Sequence, residues 1–181
     1  MDILRETHHA QLFQCLAQDL AGDLSVEKLA DYLSQLADII VAATVQAVWQ
    51  TLPARHREVP KFAVIAYGKL GGKELGYASD LDLIFLYDDA HPDAPELYSS
   101  LARRLVTWLT TQTSSGILFD IDIALRPDGA SGMLVSSVQA FERYQGSAAW
   151  VGEHQSLTLA HFCAGDVTIA ERRGAPDPRG T

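Results

Sequence analysis

Two aspartates one residue apart, Asp80 and Asp82, open the apolar run LDLIFLY that ends at Tyr87. A strand alternates its faces with period two, so both carboxylates point the same way. Like charges placed together repel, and a divalent cation between them offsets that repulsion. Gly71 and Gly72 lie just upstream, where bare backbone can approach a phosphate closely. A third carboxylate, Asp122, falls mid-strand on the polar side of an otherwise apolar run, a costly place for a charge without a partner. If its strand lies beside the second one, three carboxylates meet on one surface. Such a set holds one or two Mg²⁺ ions, which neutralise a triphosphate and position an attacking oxygen. Carboxylates beside a glycine turn therefore suggest phosphoryl or nucleotidyl transfer.

The elements that must position these groups are readable in outline. Residues 3 to about 52 carry a helical pattern interrupted at Gly22 to Ser25, and Ser25 is a good N-cap for a helix beginning near Val26. Leu29, Leu33, Leu36, Ile40 and Ala43 recur at helical spacing, and Pro53 closes the segment. Phe62 to Ala66 is a first strand, Leu70 to Leu75 a short turn or helix, and Leu81 to Tyr87 a second strand. A polar loop from Asp88 to Pro95 leads to a helix over Glu96 to Thr113, with Leu97, Leu101, Leu105, Trp108 and Leu109 on one stripe. Ile117 to Leu125 reads as a third strand, with Phe119, Ile121 and Ile123 on one side and Asp120, Asp122 and Ala124 on the other. Leu134 and Val135 extend the sheet, and helices follow over Val138 to Gln145 and Ala148 to Leu159. The expected core includes Val64, Ile65, Leu83, Phe85, Ile121 and Ile123.

The fold class is therefore α/β (α+β), a small mixed sheet flanked by helices, with an N-terminal helical segment. The organisation expected is helices over 1–59, a catalytic domain over 60–166, and a disordered tail over 167–181 rich in Gly, Pro and Arg.

Composition narrows the function classes. A net charge of −9 over 181 residues argues against a nucleic-acid surface. The start MDILRETHH lacks the basic and apolar regions of a secretory leader. The most apolar window, Ile39 to Trp49, is too short to span a bilayer and reads as a buried helix, so no membrane partner is expected and cytoplasmic is the default location. Cys15 and Cys163 lack metal spacing and read as free thiols. His8 and His9 have no partner at ligand spacing and read as surface. Glu153 and His154 are adjacent, which on a helix makes joint ligation awkward. The glycine-rich YGKLGG lacks the ending of a P-loop.

The string GKLGGKELGYASDLDLIFLYD resembles the glycine-rich and Asp-x-Asp segment of the glutamine synthetase adenylyltransferases, a bacterial family of the nucleotidyltransferase superfamily. The string DIALRPDGASGMLVSSVQAFERYQGSAAWVGEHQSLTLAHFCAGD is similar to the same family's strand, LRP turn and following helices. The likeness covers about residues 10 to 166, and FERYQ and EHQSL resemble the second, adenylylating domain of that family. It implies a nucleotidyltransferase-type sheet, ATP as AMP donor, Mg²⁺, and a tyrosine of glutamine synthetase as acceptor, in the service of nitrogen regulation. It further implies a PII-type signalling partner for the full-length enzymes. Carried over by motif, Asp80, Asp82 and Asp122 are metal ligands, and Asp122 also orients or deprotonates the tyrosine. Gly71, Gly72 and Ser79 hold the ATP phosphates, Lys69 and Lys73 add positive charge, and Arg126 contacts nucleotide or braces its turn. Tyr67 packs.

The family's LRLRP stands here as IALRP, with Ala124 in place of an arginine, and Gly152 stands where the family has Trp. The family's proteins are several times longer. Two alternatives therefore stand beside AMP transfer: a non-catalytic remnant that binds nucleotide or glutamine synthetase, and removal of AMP by phosphorolysis in the same kind of site.

Overall fold

The computed structural model describes residues 2–123, 132–147 and 160–172. Two long helices come first, α1 (Asp2–Leu20) and α2 (Val26–Gln50). The Ser25 hydroxyl accepts from the Lys28 N–H at 3.4 Å, so α2 begins where the cap residue dictates. Strand β1 (Phe62–Tyr67) runs into a single helical turn, α3 (Gly68–Gly71), and then β2 (Leu81–Tyr87). Helix α4 (Ala94–Thr110) carries Pro95 in its first turn, where a missing N–H costs nothing. Short strands β3 (Ile121–Asp122) and β4 (Val135–Ser137), helix α5 (Val138–Ser147), strand β5 (His161–Gly165) and helix α6 (Val167–Arg172) complete the described chain.

The strands form one mixed sheet in the order β3-β2-β1-β5. β1 is antiparallel to both β2 and β5, whereas β3 and β4 pair in parallel with successive parts of β2. Both faces are covered, and the period-two alternation of the strands sorts their residues between two cores. Phe62, Val64, Ala66, Leu81, Leu83 and Phe85 pack with α2 and α4. Ala63, Ile65, Tyr67, Ile84 and Leu86 pack with α5 and α6. A sheet buried on both sides has no polar strand face to spare, which is why FAVIAY and LDLIFLY read as nearly continuous apolar runs.

The mixed α/β sheet with N-terminal helices matches the sequence-based expectation, with corrections at several points. Val64, Ile65, Leu83 and Phe85 are fully buried, but Ile121 and Ile123 are only half-buried, packed against the rim of the core. The third strand is two residues long rather than nine. Its approach, Leu118 and Phe119, instead donates both N–H groups to the carbonyl of Leu109 at the end of α4. α4 stops at Thr110, three residues early. α2 is a 25-residue helix, long and apolar enough to cross a bilayer by length and composition, contrary to the shorter window expected. Its apolarity is accounted for by packing, because Leu33, Ala37, Ile40, Val41, Val48 and Trp49 are in the core. Disorder from residue 167 does not hold over α6, whose Ile169 and Ala170 are buried. The expected helix at 148–159, Arg126, His154 and the rest of the tail lie outside the described residues.

Candidate functional site

The register of the sheet builds the acidic cluster. Asp82 pairs with Asp122 across the parallel β2–β3 ladder, and residues in register on neighbouring strands share a face. Asp80 immediately precedes β2, two residues from Asp82. The three carboxylates each offer an oxygen, and these atoms all lie within 4.8 Å of one another. Asp80 and Asp122 are exposed and Asp82 is half-buried, so the cluster has a solvated mouth and a sheltered floor.

The electrostatics follow from that geometry. Burial raises the Asp82 carboxyl above the ordinary carboxylate range, and the charges of Asp80 and Asp122 raise it further, while the ammonium of Lys69 acts the other way. The charged form of Asp82 is therefore under stress in the protein alone. A divalent cation relieves that stress by cancelling the mutual repulsion. Hard carboxylate oxygens at this separation suit Mg²⁺, whose Mg–O distances are about 2.1 Å. On chemistry and spacing, then, the residues fit such an ion.

The turn after β1 forms the neighbouring wall. Gly68 has φ +55°, and a Cβ built there would stand 2.0 Å from Asp82 Oδ2. Position 68 thus needs glycine twice over, for its left-handed backbone and for the carboxylate against it. Gly71 ends α3, and Gly72 caps it with its N–H on the Gly68 carbonyl at 2.9 Å. Gly72 has an ordinary φ of −82°, and the nearest atom to a Cβ there is 3.5 Å away. Lys73 adopts the left-handed region with φ 54°, which turns the chain out of α3. Ser79 braces the approach to Asp80: its hydroxyl accepts from the Gly76 N–H at 3.0 Å, and its own N–H reaches the Gly76 carbonyl. Tyr67, opposite Asp82 on β1, is buried as expected of a packing residue.

The structure therefore brings Asp80, Asp82 and Asp122 together with Lys69 close by. Gly68 was missing from the expected set. The glycine pair at 71 and 72 is conspicuous in the sequence, whereas the demand at 68 comes from a positive φ and a cross-strand contact. Polar groups away from the cluster are also tied into the fold. His8 is buried, with its ring on Phe119 at a centroid distance of 4.7 Å, not on the surface. His9 Nε2 lies 3.1 Å from the Ile117 carbonyl. Arg5, also buried, donates to the carbonyls of Trp108 and Thr111 at the end of α4. α1 is thereby tied to the segment that leads into Asp122. Asp89, read as part of a polar loop, is half-buried with its carboxylate covered, and gathers His56 Nε2 at 2.9 Å, Arg57 Nε at 2.9 Å and the Tyr98 hydroxyl at 2.9 Å.

Comparison with known proteins places the chain among relatives of one name. The family model described as glutamate-ammonia ligase adenylyltransferase matches residues 1–174. A protein of Chromobacterium violaceum named bifunctional glutamine synthetase adenylyltransferase/adenylyl-removing enzyme is 62% identical over 172 residues, covering 95% of this chain and 19% of the relative. Proteins of the same name from Ralstonia nicotianae and Nitrosomonas europaea are 60% and 57% identical, covering 95% and 94% of this chain and 18% of each relative. The chain thus spans about a fifth of the length of these relatives.

Proposed function

Since the chain belongs to the glutamate-ammonia ligase adenylyltransferase family, we propose that its acidic cluster is a nucleotidyl-transfer centre that moves AMP from ATP to a tyrosine of glutamine synthetase. The observation that carries this reading is the convergence of Asp80, Asp82 and Asp122 on one sheet face beside a glycine turn.

In this reading Asp80, Asp82 and Asp122 hold Mg²⁺, which when bound neutralises the triphosphate and the departing pyrophosphate. Gly68, Gly71 and Gly72 keep side chains away from the nucleotide's phosphates, and Ser79 and Lys69 add a hydroxyl and a positive charge at the rim. The tyrosine oxygen forms a bond to the α-phosphorus, the bond from that phosphorus to the bridging oxygen breaks, and pyrophosphate leaves. Asp122, at the exposed edge of the cluster, orients the phenol and takes its proton. The names of the relatives include removal of AMP, and the same centre serves that reaction when an oxygen of inorganic phosphate bonds to the phosphorus of the tyrosine–AMP ester, the bond from that phosphorus to the tyrosine oxygen breaks, and ADP and the free phenol leave. The setting proposed is the cytoplasm, with regulation of nitrogen assimilation as its purpose and a PII-type protein as a partner of the longer enzymes.

The test is to incubate the protein with α-labelled ATP, Mg²⁺ and glutamine synthetase. Label on a synthetase tyrosine supports transfer. Phosphate-dependent loss of label from pre-adenylylated synthetase supports removal. Nucleotide binding with neither reaction supports a binding module and contradicts the proposal.

A further inference from the structure

The glycine turn has little to hold its shape by itself. α3 is one turn long, carries glycine at 68 and 71 and is capped by Gly72, so its backbone is costly to order and gains little from helix cooperativity. Two anchors fix it from outside, and both act through Leu70. The Leu70 side chain is fully buried. The Leu70 carbonyl accepts from the Lys73 N–H at 3.1 Å and from His161 Nδ1 at 3.2 Å.

His161 is itself held in place. It sits on β5 opposite Ala66, two residues before Gly68, and is 4% exposed. Its Nε2 lies 3.0 and 3.1 Å from the two carboxylate oxygens of Asp38 on α2. The imidazole thus spans the gap between a long, core-packed helix and the main chain of a four-residue turn. Asp38 fixes the ring, and the ring fixes the carbonyl. Buried Cys163, two residues further along β5, borders the same carboxylate, and burial first and then that carboxylate raise its thiol well above the ordinary range.

We propose that Asp38 and His161 are a positioning pair, which holds the Gly68–Gly72 turn in the shape that receives the nucleotide's phosphates. The inference rests on the proposed function, because that reading is what gives the turn its ligand. It adds a role for two residues remote from the acidic cluster, acting through one backbone carbonyl. A purely structural pair would matter only for stability, so the test must separate the two ring nitrogens.

Asparagine and glutamine at position 161 do so. The His161→Asn amide reaches where Nδ1 stood and keeps the bond to Leu70 while losing Asp38. The His161→Gln amide reaches where Nε2 stood and keeps Asp38 while losing Leu70. Amide hydrogen exchange at Gly72, Lys73 and Glu74 reports the turn directly, and titration with Mn²⁺ and inorganic triphosphate reports its function. The proposal expects faster exchange in His161→Gln than in His161→Asn, and triphosphate binding about ten-fold weaker in the former, the worth of one lost hydrogen bond. Melting temperatures of the two variants should fall alike. Equal exchange and equal triphosphate affinity in the two variants would overturn it. A wild-type protein with a protected turn that binds no triphosphate would overturn the phosphate reading underneath, and that failure is distinct from a failure of the clamp.

Discussion

The α-carbon of Gly68 faces the carboxylate of Asp82 so closely that a methyl group there would stand 2.0 Å from Oδ2. The glycine turn and the acidic cluster are therefore one construction. Gly68→Ala is expected to displace the Asp82 carboxylate and weaken divalent-cation binding. Its left-handed backbone adds a stability cost of about 1–2 kcal/mol. Gly72→Ala, with φ −82° and no atom nearer than 3.5 Å, should leave the melting temperature almost unchanged. Thermal melts with Mn²⁺ titration of both variants check the contrast. Equal behaviour of the two would contradict it.

Asp82 is destabilising to the metal-free protein when charged, because burial and the charges of Asp80 and Asp122 raise its carboxyl. For an acid whose folded pKa is raised, stability falls as pH rises from the unfolded value, about 3.9, through the folded one. Asp82→Asn should therefore be as stable as wild type or slightly more so at neutral pH, and the gap should close on acidification. AMP transfer should drop by roughly a hundred-fold or more, since an amide keeps the shape but not the charge. Denaturant melts at several pH values, paired with the transfer assay, test both halves.

His8 is expected to make the fold acid-sensitive. Burial, with the neighbouring His9 second, lowers it from 6.5 to about 4. A base lowered in this way contributes stability that is fully present above pH 6.5 and is lost as pH falls toward 4. Its Nδ1 has no hydrogen-bond partner among the described residues, so an apolar replacement leaves nothing unsatisfied there. His8→Leu should flatten the pH dependence of stability between those values. An unchanged slope would contradict the assignment.

The Asp89 cluster holds the 56–57 linker to the loop after β2, and His56 also stacks on His91 at 4.0 Å. Burial acts against the Asp89 charge, but bonds from the His91 N–H, Tyr98 and His56, with the Arg57 charge, keep its carboxyl below the ordinary range. This contribution is present above the unfolded carboxylate pKa and is lost as pH falls through the lower folded value. Removing the buried acceptor in Asp89→Ala should cost about 3 kcal/mol, because it leaves its partners uncompensated. Chemical denaturation at pH 7 measures this directly.

These particulars show what a single sequence conveys. Asp80 and Asp82 were legible because strand periodicity is local, whereas Asp122 was singled out as a costly mid-strand charge although it is exposed at the end of a two-residue strand. The Asp82–Asp122 register follows only if β3 lies beside β2, which no local pattern states. Gly68, His8 and Asp89 were hidden for a shared reason. Each owes its role to partners distant in sequence: Asp82, Phe119 and the 56–57 linker. α6 was missed because its short apolar pair, Ile169 and Ala170, sits next to a tail rich in Gly, Pro and Arg.

Calorimetric titration of Mn²⁺ into the protein tests whether Asp80, Asp82 and Asp122 act together as a divalent-cation site. Saturable binding by wild type is expected, weakened about ten-fold or more by Asp82→Asn and by Asp122→Asn, with the fold retained. Binding of equal strength in wild type and both variants, or no binding to the folded wild type, would contradict it.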